Sequence, residues 1–128
     1  MIPREGCGGE VMDIVDKDLV DSFLKTVEKY IRSGKYSFYR EDNPYYREKH
    51  LDAIARLGMS ITQMEEEILE LTYDDYREGP SDNHKPGEEP VWIFKRIING
   101  EPIYIKLRDS YYNAKKKEVV IHSFHKDR

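Results

Sequence analysis

Val91-Trp92-Ile93-Phe94-Lys95-Arg96-Ile97-Ile98, then Asn99-Gly100, then Glu101-Pro102-Ile103-Tyr104-Ile105-Lys106-Leu107-Arg108 is the stretch that decides the fold. Two runs rich in β-branched and aromatic residues flank Asn-Gly, a pair suited to a type I′ hairpin turn because both central residues need positive φ. A two-residue turn also fixes the register. Counting outward pairs Ile98 with Glu101, Ile97 with Pro102, Arg96 with Ile103, Lys95 with Tyr104 and Ile93 with Lys106. Side chains alternate across a strand, which predicts Trp92, Phe94, Ile103, Ile105 and Leu107 on one face and Lys95, Tyr104 and Lys106 on the other. The first set makes a core, and the second makes a candidate site.

Working outward, Glu118-Val119-Val120-Ile121-His122-Ser123-Phe124-His125 predicts a further strand, so that three strands form an antiparallel meander. Upstream the pattern turns helical. Leu19, Val20, Phe23, Leu24, Val27, Tyr30 and Ile31 recur at helical spacing, and Gly34 supplies a stop. Tyr36-Ser37-Phe38-Tyr39 reads as a short strand. A second helix is predicted over 45–57, with Leu51, Ile54 and Leu57 inward. Ser60-Ile61-Thr62-Gln63 is a capping-box sequence that opens a third helix carrying Met64, Ile68, Leu69 and Leu71. Residues 72–90 read as one long loop, and loops of that length in compact domains are usually functional. The fold class is therefore α+β: one small domain over 18–128, with N-terminal helices packed on an antiparallel sheet, preceded by a flexible tail over 1–17.

Composition narrows the function classes. With 38% apolar and 36% charged residues the chain is very polar yet still able to build one core. The single cysteine, Cys7, excludes an internal disulfide and a cysteine-cluster metal site. No apolar run approaches the ~20 residues of a membrane span, and the start of the chain lacks an apolar signal core, so the expected location is cytoplasmic. The four histidines, His50, His84, His122 and His125, lack metal-ligand spacing, and no metal or other cofactor is expected. The net charge of −4 is unevenly distributed: from residue 91 onward nine basic residues face four acidic ones, +5, leaving −9 for the rest. A basic sheet on an acidic helical body can bind phosphates locally.

Several stretches together resemble the MqsR family of type II toxins: Leu71-Thr72-Tyr73-Asp74-Asp75-Tyr76-Arg77-Glu78-Gly79-Pro80, Lys85-Pro86-Gly87, Val91-Trp92-Ile93-Phe94, the run from Asn99 to Leu107, Ser123-Phe124-His125, and upstream Val27 to Lys35. The resemblance covers roughly residues 19–126. It implies a RelE-like fold, metal-independent endoribonuclease activity on messenger RNA, free or on the ribosome, and neutralisation by a cognate antitoxin protein. The family's catalytic tyrosine falls on Tyr104. Its basic residue after Ser-Phe falls on His125, where the best-known member has lysine. Its loop lysine aligns with Glu78, with Arg77 one place earlier, and Ile93 stands where that member has glutamine.

Metal-free RNA cleavage needs a base for the 2′-hydroxyl proton, a cation for the phosphorane, and an acid for the leaving 5′-oxygen. Histidine is the side chain that ordinarily exchanges a proton near neutrality. If Phe124 points to the core, period two sends His125 to the Tyr104 and Lys106 face, and His122 to the Phe124 face. The expected catalytic residues are thus Tyr104, His125, Lys106 and Arg77, with the last two on the phosphate. Lys95, Arg108, Tyr111, Tyr112, Lys115 and Lys116 are the expected substrate-binding residues, because aromatics beside cations suit single-stranded RNA. Each has a bland alternative: a cross-strand surface pair for Tyr104 and Lys95, a solubilising residue for Lys106, a frayed side chain for His125. The competing functional readings are a non-catalytic RNA-binding or protein-interaction module of the same fold, and a small-molecule domain using the long loop as a lid.

Overall fold

The computed structural model describes residues 16–81, 90–109 and 118–127. Three helices precede most of a five-stranded sheet, confirming the α+β reading. Helix α1 (Lys17–Arg32) starts where the Asp16 carboxylate accepts the Asp18 N–H, and it buries Val20, Phe23, Val27 and Ile31 along one stripe. Strand β1 (Tyr36–Phe38) follows. Helix α2 (Pro44–Arg56) opens on an Asn43 cap with proline in its first turn, where a missing N–H costs nothing. Helix α3 (Ile61–Leu69) carries the predicted capping box: Ser60 Oγ accepts the Gln63 N–H at 3.1 Å and Gln63 Oε1 accepts the Ser60 N–H at 2.8 Å. A 3₁₀ turn (Tyr73–Asp75) leads into β2 (Tyr76–Ser81), then β3 (Val91–Ile98), β4 (Glu101–Asp109) and β5 (Val119–Lys126).

The hairpin is as its turn dictates. Asn99 and Gly100 have φ of 53° and 81°, and all eight β3–β4 pairs run from Val91 with Arg108 to Ile98 with Glu101. The sheet around it is larger than a three-stranded meander, with order β1-β5-β4-β3-β2. Two expectations are corrected here. Residues 76–81, read as loop, form an antiparallel edge strand on β3, and β1 pairs with β5 in parallel, so the sheet is mixed. Strand β2 fits so closely that only glycine is tolerated at its bend. Gly79 has φ of 120°, and a Cβ there would meet Val91 O at 2.6 Å and Trp92 Cα at 2.9 Å. The expected tail over 1–17 lies, up to residue 15, outside the described residues, as do 82–89 of the expected loop.

One face of the sheet packs on the helices. Phe23 of α1 stacks on Trp92 with centroids 4.4 Å apart, Phe94 lies behind it at 6.2 Å, and Ile103, Ile105 and Leu107 complete a floor from which water is excluded. Alternation puts Arg96 on this same face. It emerges beside α3 and is held by Glu67 at 2.9 Å, Glu70 at 2.7 Å and Asp75 at 3.4 Å, tying helix, turn and sheet together. Among the described residues no helix is long and apolar enough to cross a membrane.

Candidate functional site

The face of the sheet turned away from α1 carries Tyr104, Lys106 and Arg108 along β4, Lys95 on β3, Ser123 and His125 on β5, and Glu78 on β2, because these positions alternate with the buried ones. A row crosses three strands here: Lys95 opposite Tyr104, and Tyr104 opposite His125. The Tyr104 and His125 rings are stacked, centroids 5.3 Å apart and planes 13° apart. Lys95 Nζ closes the row against Asp127 Oδ2 at 3.1 Å. His125 Nδ1 lies 2.9 Å from the Lys126 carbonyl, and since a carbonyl only accepts, Nδ1 carries the hydrogen and Nε2 is left for proton exchange.

Burial pushes the Tyr104 phenol above its ordinary range, and the carboxylates of Glu78 and Asp127 push it further. At neutral pH Tyr104 is therefore a hydrogen-bond donor and not a base. The same shift places Glu78 within electrostatic reach of Tyr104, although β2 lies at the far edge of the sheet from His125. By register Glu78 lies two strands from β4, beyond Ile93 and in the row of Lys106, whereas His125 is the immediate neighbour of Tyr104 on the other side. Lys106, one row along from Tyr104 and opposite Ser123, makes no ion pair among the described residues.

Two sequence expectations are modified. Arg77 is expected at the phosphate, yet its Nη1 donates to the carbonyls of Asp74 and Tyr76, both at 2.9 Å, which ties the guanidinium to its own turn. It sits at a register shift in β2, where two residues oppose one on β3, and the charged residue that β2 places on this face is Glu78 instead. His122 is expected on the Phe124 face. A second bulge, between the Lys106–Ser123 and Leu107–Ile121 pairs, leaves Ile121 and Phe124 both buried and brings His122 to Lys106 and Arg108, with its ring stacked on Tyr39 at 4.1 Å. Nor does His122 titrate near neutrality. Burial, with Arg108, Lys106 and His50 as further causes, lowers its pKa to about 3, so it stays neutral. The remaining expected binding residues, Tyr111, Tyr112, Lys115 and Lys116, lie outside the described residues.

The His122 environment has a measurable consequence. A histidine whose folded-state pKa lies far below its unfolded value stabilises the fold fully above about pH 6.5, and that contribution is lost as pH falls toward the folded value. Thermal melts of His122→Gln between pH 7.5 and 4 are expected to fall less steeply with acid than those of the unaltered protein. Parallel curves would mean that other groups drive the acid loss.

Sequence reasoning missed Glu78, Tyr39 and Arg40 as members of this face. Arg40 sits in a left-handed turn after β1, with φ of 57°, and its guanidinium lies 5.3 Å from the Tyr39 ring centre and 5.5 Å from that of Tyr46. Past the end of β1, a groove of about 860 Å³ opens between α2 and β5, reaching from Tyr46, His50 and Leu57 to Phe124 and His125. Among the described residues no group of three or more His, Cys, Asp or Glu is placed to hold a metal ion. No protein-family model matches this chain, and no curated protein matches it significantly.

Proposed function

We propose that this protein is a metal-independent endoribonuclease that cuts messenger RNA, the toxin of a toxin-antitoxin pair held in check by a cognate antitoxin. The observation that carries the reading is a phenol, an ammonium group and an imidazole from β4 and β5 set side by side on one face, with the carboxylate of Glu78 on the same face at the β2 edge. The resemblance to MqsR toxins, with their RelE-like fold, supports it through the same Tyr104 and His125.

The chemistry follows from those groups. The 2′-oxygen of one nucleotide attacks its own 3′-phosphorus while the bond to the next 5′-oxygen breaks. Glu78, on one side of Tyr104, takes the 2′-hydroxyl proton, and the His125 imidazolium, on the other, gives a proton from Nε2 to the departing 5′-oxygen. Opposite placement suits an in-line displacement. Lys106 neutralises the charge that builds on the phosphorane, and the protonated Tyr104 donates a hydrogen bond to a non-bridging oxygen. The products are a 2′,3′-cyclic phosphate and a 5′-hydroxyl.

Purified protein is expected to cleave RNA in excess EDTA and to leave 2′,3′-cyclic or 3′-phosphate ends. Cleavage abolished by chelation, or 3′-hydroxyl ends, would overturn the mechanism. Tight RNA binding with no cutting would identify a non-catalytic module of the same fold.

A further inference from the structure

The groove between α2 and β5 borders the candidate site and has no part in the cleavage chemistry. It exists because β1 is short. β1 stops at Phe38, opposite Ile121, so from His122 onward β5 has no strand on its outer side and α2 lies there instead. The helix covers that side loosely, with Ile54 as its one buried residue. Tyr46, His50, Ala53 and Leu57 recur at i, i+4, i+7 and i+11, the spacing of one helix face, and together they line the groove. Ala53 puts a single methyl in the middle of this wall, between larger neighbours, and all four side chains stay part-exposed.

The facing wall is β5, from Ser123 to His125. His125 therefore belongs to two places at once: its ring stacks on Tyr104 in the catalytic row, and it lines the groove. A volume of about 860 Å³ falls within the ~300–1,000 Å³ of small-molecule sites, which combine apolar and aromatic walls with a few polar groups. The His50 ring is fixed by stacking on Phe38 at 5.2 Å and by its Nε2, 2.9 Å from the Tyr39 carbonyl. The carboxylates of the lining are already matched, Asp52 by Arg56 at 2.8 Å and Asp127 by Lys95 at 3.1 Å. Among the described residues the Ser123 hydroxyl makes no hydrogen bond, and the Lys49 ammonium has no ion pair, only the Tyr45 ring at 5.3 Å. Two such donors on an apolar and aromatic wall suit a flat heterocycle that carries carbonyl oxygens and ring nitrogens.

We propose that this groove takes the base of the nucleotide on the 3′ side of the cut. The inference rests on the endoribonuclease reading, which makes His125 the proton donor to the departing 5′-oxygen. The nucleotide that leaves on that oxygen then lies at His125, and the groove is the cavity on that side. One base of an unpaired strand swings out of the backbone into it and stacks against the α2 wall. A duplex keeps its bases paired and turned inward, so the substrate is single-stranded RNA, read at one position.

The test uses a six-nucleotide RNA carrying 2′-O-methyl groups throughout, which cannot be cut, and a set of the same RNA lacking one base in turn. Removing the base that enters the groove is expected to weaken binding about 5- to 150-fold, the range of base stacking. Mapping the cut in the unmodified RNA should place that base immediately 3′ of it. Ala53→Phe fills the middle of the groove, so it should bind the intact RNA weakly and lose nothing further when that base is removed. Lys49→Met, at an exposed position of α2, should show a smaller loss of the same kind. Circular-dichroism melts check that each variant is folded, and Lys49→Met alone decides if Ala53→Phe is not. Binding indifferent to every base, or a sensitive base 5′ of the cut, would overturn the pocket even if the protein cuts RNA. Base sensitivity unchanged in folded variants would overturn it too and leave the groove to a protein partner. One sensitive base, suppressed by the variants, in a protein that never cuts RNA would keep the pocket and remove the nuclease.

Discussion

His125→Ala is expected to slow RNA cleavage by about 10²–10⁴-fold, the usual contribution of a positioned acid or base. The ring stands on the open face, stacked on Tyr104, with Nδ1 held by the Lys126 carbonyl, and no core contact depends on it. The loss should therefore appear in single-turnover rate with little change in melting temperature. His125→Lys separates charge from proton exchange, because lysine keeps a cation near the phosphate but holds its proton at neutral pH. That variant should bind an RNA oligonucleotide made uncleavable by 2′-O-methyl groups as the unaltered protein does, and cut unmodified RNA with a flatter pH profile. A loss of only a few-fold in His125→Ala would return His125 to an incidental surface side chain and leave the face without its acid.

Phe94→Ala is expected to cost about 3–5 kcal/mol of folding stability. Phe94 is fully buried, lies behind Phe23 at 6.2 Å, meets Tyr76 of β2 edge-on at 6.2 Å, and pairs across the hairpin with Ile105. Its truncation leaves a cavity bounded by α1 and three strands, and few neighbours can collapse into it. For a domain of ordinary stability, ~5–15 kcal/mol, this is a fifth or more of the total. Ile97, three residues on and 66% exposed, is the control: Ile97→Ala should change stability by less than about 0.5 kcal/mol. Urea unfolding of the pair measures the difference directly, and a small effect at Phe94 would mean that the core around it is not close-packed.

The hairpin could be read from sequence because all its determinants are local. Asn99-Gly100 sets the turn, the turn sets the register, and period two sets the faces, so Tyr104 and Lys106 are placed without knowledge of anything distant. Strand β2 could not be read in the same way. Tyr76-Arg77-Glu78-Gly79-Pro80-Ser81 has little intrinsic strand preference and is held by contact with β3, by Tyr76 packing on Phe94, and by the Tyr76 hydroxyl on the Gly79 carbonyl. Hence Glu78 looked like a loop residue standing in a lysine's place. The His122 error has one physical cause. Alternation is a parity argument, and a single bulge inverts parity on one side of itself, so counting from Phe124 succeeded for His125 and failed for His122. The partnership of β1 with β5 carries no local mark either, since nothing near Tyr36 refers to Val119.

That partnership also sets a schedule for synthesis. β1 leads into the turn that carries Tyr39 and Arg40 but has no sheet neighbour until β5 exists, and Tyr36 pairs with Val119 across most of the chain. On the ribosome, α1 and the hairpin can form as they emerge, whereas pairings this distant in sequence wait for loop closure and form slowly. The residue assigned as the acid, His125, is delivered by the same strand that anchors β1. A nascent chain halted before β5 therefore lacks the strand that sets His125 beside Tyr104, so that the candidate site is completed only when translation has passed β5.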